Sequence, residues 1–417
     1  MESERARLHL ETRLVHGDGP QPEGSRPTLP PLHLTTAFDF DSAERMEAVF
    51  AQQADDHYYS RMSNPTVEAL ERRITETLGA AGTVALASGM TAITVGLLNM
   101  LQSGDEVIAS PYLFGGTYTL FTRVLSRLGI VTHFADPADP AAWEARIGPK
   151  TKALFMEAIA NPAVVVPDFS VFQAIARRHG IPLVVDATLL TPYLYDAEAM
   201  GADLLMFSAS KFLAGSASTI SGLVVETGRF PWHDSPRFDF SQQKKAGQGA
   251  YLARLRKQMM SAIGPALSPF SAYLLLTGME TLPLRLEKQC DNTERVASFL
   301  REHPKVESVN YPGLPGHPAH EVTRRQFRGR FGSLLSFTLS GKAACFRFIN
   351  ALRLILRSAN LGDTRTILLH PASTIYSTLW KHEQEETGVT DDLIRLSLGV
   401  EHPEDIFADL EQALRAA

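Results

Sequence analysis

From about Thr66 onward, short apolar and β-branched runs alternate with longer stretches whose apolar positions recur at helical spacing. A run of four or five such residues between turn formers has the length of a buried strand. Regular alternation with helices marks βαβ units around a mainly parallel sheet, which predicts an α/β fold. Strands are expected at 84–87, 107–109, 153–156, 183–185 and 204–207, with helices such as 90–101 and 169–179 between them. Residues 1–62 show little periodicity and are rich in Pro, Gly and polar residues over 17–31, which predicts an extended arm. Near Pro269 the texture changes to a long helical stretch through Leu274, Leu284 and Leu286. Strands at 334–338 and 394–398 then mix with further helices. The expected division is an arm at 1–62, a large domain at 63–262 and a smaller α+β domain at 263–417.

At 417 residues the chain exceeds what one hydrophobic core usually organises, so two domains with a pocket between them are expected. No apolar run approaches the roughly 20 residues of a membrane span. Lys and Arg number 40 against 46 acids, with no basic run, so neither a nucleic-acid partner nor a membrane surface is expected. The opening residues mix Glu2, Glu4, Arg5 and Arg7, unlike a secretory or transit segment. Cys290 and Cys345 are the only cysteines, too few for a disulfide framework or cysteine metal site, so the cytoplasm is the expected compartment. His317 and His320 resemble a metal pair only in spacing. A surface turn is expected there, and no metal.

In an open parallel sheet, ligands sit beyond the carboxyl ends of the strands, so the residues following each expected strand carry the chemistry. After 204–207 comes Ser208-Ala209-Ser210-Lys211. A lysine at the mouth of a sheet is partly desolvated, its pKa falls, and its neutral amine can attack an aldehyde. The strand 183–185 runs into Asp186, whose carboxylate would emerge at the same mouth and could keep a pyridine nitrogen protonated. Ser88-Gly89-Met90 stands between a strand and an apolar helix, where backbone N–H groups can cradle a phosphate. Phe114, before Gly115-Gly116-Thr117, can stack on a flat heterocycle. Arg395 lies inside an apolar strand, a costly place unless it has an anionic partner such as a substrate carboxylate. Each feature also has an ordinary structural reading: a solvated lysine, a helix cap, a core phenylalanine, a buried ion pair.

Taken in order, these segments resemble the pyridoxal-phosphate enzymes of cysteine and methionine metabolism, which include cystathionine synthases and lyases, methionine γ-lyases and O-acylhomoserine sulfhydrylases. The likeness is carried by Tyr59-Ser60-Arg61 with Asn64-Pro65, Ser88-Gly89-Met90, Gly115-Gly116-Thr117, Glu157 with Asn161-Pro162, Asp186, Ser208 to Lys211, and 395–401. It implies a fold-type I pyridoxal-phosphate transferase with a mainly parallel seven-stranded sheet. It further implies that Lys211 is the Schiff-base lysine and that Asp186 partners the pyridine nitrogen. Ser88, Gly89, Met90, Ser208 and Ser210 would hold the phosphate, and Phe114 would stack on the ring. Tyr59 and Arg61 would reach the phosphate of a neighbouring subunit in a homodimer that pairs into a tetramer, and Asn161, Asn360 and Arg395 would receive cofactor and substrate carboxylate.

Three positions depart from the family's pattern. Phe114 stands where most members have tyrosine, so stacking on the ring survives and the phenol does not; either Tyr112 or Tyr59 substitutes for it, or Lys211 does the proton work alone. Ala187 follows Asp186 where asparagine is common, and Gly215-Ser216 replaces a glycine-histidine pair. Asn360-Leu361-Gly362-Asp363, His370 to Thr374, and the extra length between Phe230 and Gly264 are similar to the O-acetylhomoserine sulfhydrylase branch. Gly116, where methionine γ-lyases tend to carry cysteine, argues against a dedicated methionine lyase. The expected function is γ-replacement on an O-acylated homoserine with a sulfur nucleophile. The alternative is γ-elimination from methionine, cystathionine or an O-linked homoserine derivative such as canavanine.

Overall fold

A computed structural model describes residues 8–16, 27–51 and 53–417. Most of the Pro- and Gly-rich stretch of the expected arm therefore lies outside the described residues. Seven strands form the larger sheet: β1 (Gly82–Leu86), β2 (Glu106–Ala109), β3 (Val131–Phe134), β4 (Thr151–Glu157), β5 (Leu183–Asp186), β6 (Leu204–Phe207) and β7 (Gly222–Glu226). Their order is β1-β7-β6-β5-β4-β2-β3, parallel except for β7, which runs antiparallel to both neighbours. The central strands are buried on both faces, with Val184 and Val185 fully enclosed, which is why they read as continuous apolar runs.

Five of these strands match the expected ones. β3 escaped notice because it is a half-exposed edge strand whose Val-Thr-His-Phe sequence lacks a buried run. β7 was missed for another reason. It is apolar enough, but only the fold inserts it antiparallel between β1 and β6.

The smaller sheet contains β8 (Ser308–Asn310), β9 (Leu334–Thr338), β10 (Leu356–Arg357), β11 (Ile367–Leu369) and β12 (Leu393–Ser397), ordered β10-β11-β12-β9-β8. Its core joins Phe337, Ile394 and Leu396 to helices Lys342–Ala351 and Pro403–Leu414. The expected long helix near 269 is two helices, Pro269–Glu280 and Leu282–Glu302, because the chain leaves helical geometry at Thr281 ahead of Pro283. The second is about 30 Å long at 1.5 Å per residue. Its first half buries Leu282 and Leu286 in the core of the larger sheet, and its second half buries Val296 and Leu300 in that of the smaller one. One rod thus ties the two sheets together.

The extra length after Phe230 packs inward through an aromatic cluster in which Trp232 lies 4.7 Å from the Tyr251 ring. His317 bonds Asn310 and His320 bonds the Pro312 carbonyl, both half-buried. Among the described residues no cluster of potential metal ligands occurs, and no helix is long and apolar enough to cross a membrane.

Candidate active site

The carboxyl ends of β1, β4, β5 and β6 open on one cavity of about 470 Å³. Ser88, Gly89 and Met90 enter it from the β1 end, Asp186 from β5, and Ser208, Ser210 and Lys211 from β6. Phe114 and Asn161 line it from the segments after β2 and β4. The C-terminal region supplies Asn360, ahead of β11, and Arg395 of β12. The site therefore draws on both sheets.

Ser88 caps the helix Gly89–Leu98, its hydroxyl accepting from the Thr91 N–H at 3.1 Å, so the helix start faces the cavity. A Cβ on Gly89 would lie 2.8 Å from Ser208 Cα, a collision with backbone, so only glycine permits this approach of strand and helix. The Ser210 hydroxyl is already engaged: it donates to the Ser221 carbonyl at 3.1 Å and accepts from the Ser221 N–H at 2.8 Å.

Lys211 Nζ donates to Asn360 Oδ1 at 2.7 Å. Burial, then the nearby Arg395 charge, pull its pKa down to about 8. Asp186 is held through one oxygen, Oδ1, which accepts from the Thr188 N–H at 3.0 Å and from its hydroxyl at 2.5 Å. Burial pushes its carboxyl up from the usual range. Glu157, paired with Asp186 in the β4/β5 register, is raised further, first by burial and then by the Asp186 charge.

Arg395 is 1 % exposed and forms no ion pair with a carboxylate among the described residues. Nη2 donates to the Asn360 carbonyl at 2.5 Å and Nη1 to Asn161 Oδ1 at 3.4 Å, while Nε has no partner. Burial lowers its pKa to about 10. A cation this enclosed, with neutral acceptors only, is arranged to receive an anion.

Comparison with known proteins decides the family. The model for the Cys/Met metabolism PLP-dependent enzymes matches residues 11–415. This chain belongs to that family. It is 38 % identical to O-acetyl-L-homoserine sulfhydrylase 1 of Thermus thermophilus, covering 98 % of this chain and 100 % of the relative. A crystal structure assigned as an O-acetylhomoserine (thiol)-lyase of Campylobacter jejuni, holding N′-pyridoxyl-lysine-5′-monophosphate, superposes with a TM-score of 0.93. Its sequence is 33 % identical, and the match covers 98 % of this chain and 100 % of that one. Cystathionine γ-lyase of Lactobacillus plantarum, complexed with L-serine, gives 0.86 at 29 % identity, covering 98 % and 99 %. The fold is accordingly that of the fold-type I pyridoxal-phosphate enzymes, and the chain is a pyridoxal-phosphate-dependent enzyme.

Within this family member, two expected site residues stand apart from the cavity. Tyr59 and Arg61 line a different cleft with Phe38, Met46 and Phe50, and Arg61 donates to the Ser261 carbonyl at 2.7 Å. Tyr112 also points elsewhere, its hydroxyl bonded to Asp136 at 3.0 Å. Among the described residues no tyrosine lines the cavity, so Phe114 is its only aromatic ring. Sequence reasoning missed the bonding roles of Thr188 and Glu157. The spacing Asp186-x-Thr188 after a strand carried a signal for the first, because a carboxylate two residues ahead of a threonine readily accepts from its N–H and hydroxyl.

Proposed function

We propose that this enzyme performs γ-replacement, exchanging the acyl-oxygen substituent of an O-acylated homoserine for a sulfur nucleophile. The observation that carries it is the sharing of one cavity by the Lys211 amine, with its lowered pKa, and the carboxylate-free Arg395. Likeness over the full length to a sulfhydrylase favours replacement over elimination.

The residues fit pyridoxal phosphate. The close-packed Gly89 leaves the N–H groups of a ten-residue helix open to a phosphate. Ser208 adds a hydroxyl, and Ser210 can turn its O–H from the Ser221 carbonyl to the same anion. Asp186 has Oδ2 available for a protonated ring nitrogen, Phe114 supplies a stacking face, and Lys211 is the point of attachment. When bound, the cofactor supplies an electron sink for carbanions at the α- and β-carbons. Arg395 and Asn161 hold the substrate carboxylate, with Asn360 bracing both Arg395 and Lys211. An amine of pKa about 8 exchanges protons near neutrality, so Lys211 removes the α- and β-protons in turn and returns them. Among the described residues of one chain no phenol lines the cavity, so within the chain that work falls to Lys211.

Tyr59 and Arg61 complete the phosphate site of a second copy, with residues 1–62 as the arm that delivers them. The large and small domains divide near residue 263. The assembly is a homodimer or a tetramer of two such dimers in the cytoplasm. Incubation of purified enzyme with O-acetyl-L-homoserine, with and without sulfide, tests the reaction. Sulfide-dependent homocysteine is expected. Oxo acid and ammonia at the same rate with or without sulfide would instead establish a γ-lyase.

A further inference from the structure

The peptide unit joining Leu113 to Phe114 is held at both ends. Its carbonyl, on Leu113, accepts from the Tyr376 hydroxyl at 2.5 Å, and its N–H, on Phe114, donates to Glu157 Oε1 at 2.5 Å. The backbone of Asn161 is held by the same two side chains. Its N–H donates to Glu157 Oε2 at 3.0 Å, and its carbonyl accepts from the Tyr376 hydroxyl at 2.9 Å. A phenol has one proton, so Tyr376 shares it between two carbonyls, while the two oxygens of Glu157 each take one N–H. Glu157 and Tyr376 thus fasten two separate strand-end segments to each other from opposite sides. Glu157 is 5 % exposed and Tyr376 is fully enclosed, so water cannot substitute for either.

Two independent features show that the arrangement is built. Gly115 has space for no side chain, because a Cβ there would lie 2.5 Å from the Ile375 carbonyl; the strand-end segment and the Tyr376 segment touch through that glycine. Behind Tyr376, Gln384 Nε2 donates to its carbonyl at 2.9 Å, fixing the residue from the C-terminal side. Tyr376 does not line the cavity; Glu157 does, beside Phe114 and Asn161, with its two carboxyl oxygens taken up by their N–H groups.

We infer that Glu157 and Tyr376 are a paired positioning clamp that sets the separation of Phe114, over the cofactor's ring, from Asn161, at its edge and at the substrate carboxylate. The inference rests on the reading of the cavity as the pyridoxal-phosphate site. It assigns the clamp no contact with substrate and no proton to move. Because Phe114 cannot bond the cofactor or substrate as a tyrosine could, the ring face depends on backbone placement, and this clamp supplies it.

The test uses the holoenzyme and the variants Tyr376→Phe, Glu157→Gln and Glu157→Asp. Tyr376→Phe removes the hydroxyl that holds both carbonyls and keeps the ring. In Glu157→Gln the amide NH₂ faces one of the two N–H donors, which breaks one bond and keeps the other. Each of these two should alter the induced circular dichroism of the cofactor's visible band, speed cofactor dissociation, and lower kcat roughly tenfold to a hundredfold, with a smaller change in KM, because displacement of a bound reactant by an ångström or less has that effect. Glu157→Asp, which keeps both acceptors on a shorter arm, should recover part of the band. A lower melting temperature with the visible band, dissociation rate and kcat unmoved in Tyr376→Phe would overturn the clamp, whatever Glu157→Gln does. A wild-type protein that takes up no pyridoxal phosphate would bring down both the cavity reading and the clamp, whereas a yellow wild type with unmoved variants brings down the clamp alone.

Discussion

The Lys211 ammonium group and the Asn360 side-chain oxygen are joined at 2.7 Å, across the divide between the two sheets. A neutral acceptor offsets little of the cost of burying a cation, and the charge that acts on it, that of Arg395, is of the same sign. The amine is therefore poised to lose its proton at about pH 8.

A stability consequence follows for the cofactor-free protein. Because the folded pKa, about 8, lies below the ordinary 10.5, the unfolded chain holds a proton through that window that the folded chain has released. Stability therefore rises with pH between the two values, and below pH 8 the full penalty, on the order of 3 kcal/mol, is present. Lys211→Met should be more stable than wild type at pH 7 by up to about that amount, and the gap should close near pH 10.5. Urea unfolding of the stripped proteins at both pH values measures it; equal stability at pH 7 would mean a solvated amine.

Arg395→Ala should leave the protein yellow and raise KM for the amino-acid substrate on the order of a hundredfold, the loss of two charge-assisted hydrogen bonds. Arg395→Lys should recover only part, since a point charge cannot bond a carboxylate in two places. Steady-state kinetics alongside the visible spectrum separates this from a folding defect. An unchanged KM would place the carboxylate elsewhere.

Gly89→Ala should weaken cofactor binding at least tenfold, because the new methyl meets Ser208 Cα at 2.8 Å and its Cβ at 2.5 Å, forcing the phosphate-facing helix start away from the β6 end. Titration of stripped protein with pyridoxal phosphate, followed by absorbance, gives the answer. Retained affinity would show that the helix start does not hold the anion.

Glu226 predicts a pH effect of opposite sign. It closes β7, fully buried, with Oε2 accepting from the Leu252 N–H at 3.1 Å and Oε1 without a partner. Burial raises its pKa to about 8. The folded state then keeps a proton that the unfolded chain sheds near 4.5, so its contribution to stability declines as pH rises from about 4.5 to 8. Glu226→Gln, which keeps an acceptor and removes the charge, should erase that decline and be the more stable protein at pH 8. Thermal melts at pH 5 and pH 8 decide it; parallel behaviour of the two proteins would show that the carboxyl finds a counter-charge.

Much of the site was legible because strand ends announce themselves. An apolar run that stops at Asp186, or at Ser208 to Lys211, carries a polar group just where a parallel sheet opens, and the fold collects such ends at one edge whatever lies between them. Arg395 was visible for a related reason: a charge inside an apolar strand needs an explanation, and the cavity beside it is one. Tyr376 gave no signal, since a tyrosine in a Ser- and Thr-rich loop is commonplace, and its partners at Leu113 and Asn161 lie more than 200 residues away.

By itself, the chain's pattern of apolar runs determined that five strands of the larger sheet and two of the smaller one exist and which chemical groups follow them, because burial demands continuous hydrophobicity and exposure does not. Tertiary structure decided the rest: the insertion of β7 antiparallel between β1 and β6, the break at Thr281, the shared hold of Glu157 and Tyr376, and the meeting of Lys211 with Asn360. Those depend on contacts between residues distant in sequence, where local pattern carries no information about partner or direction.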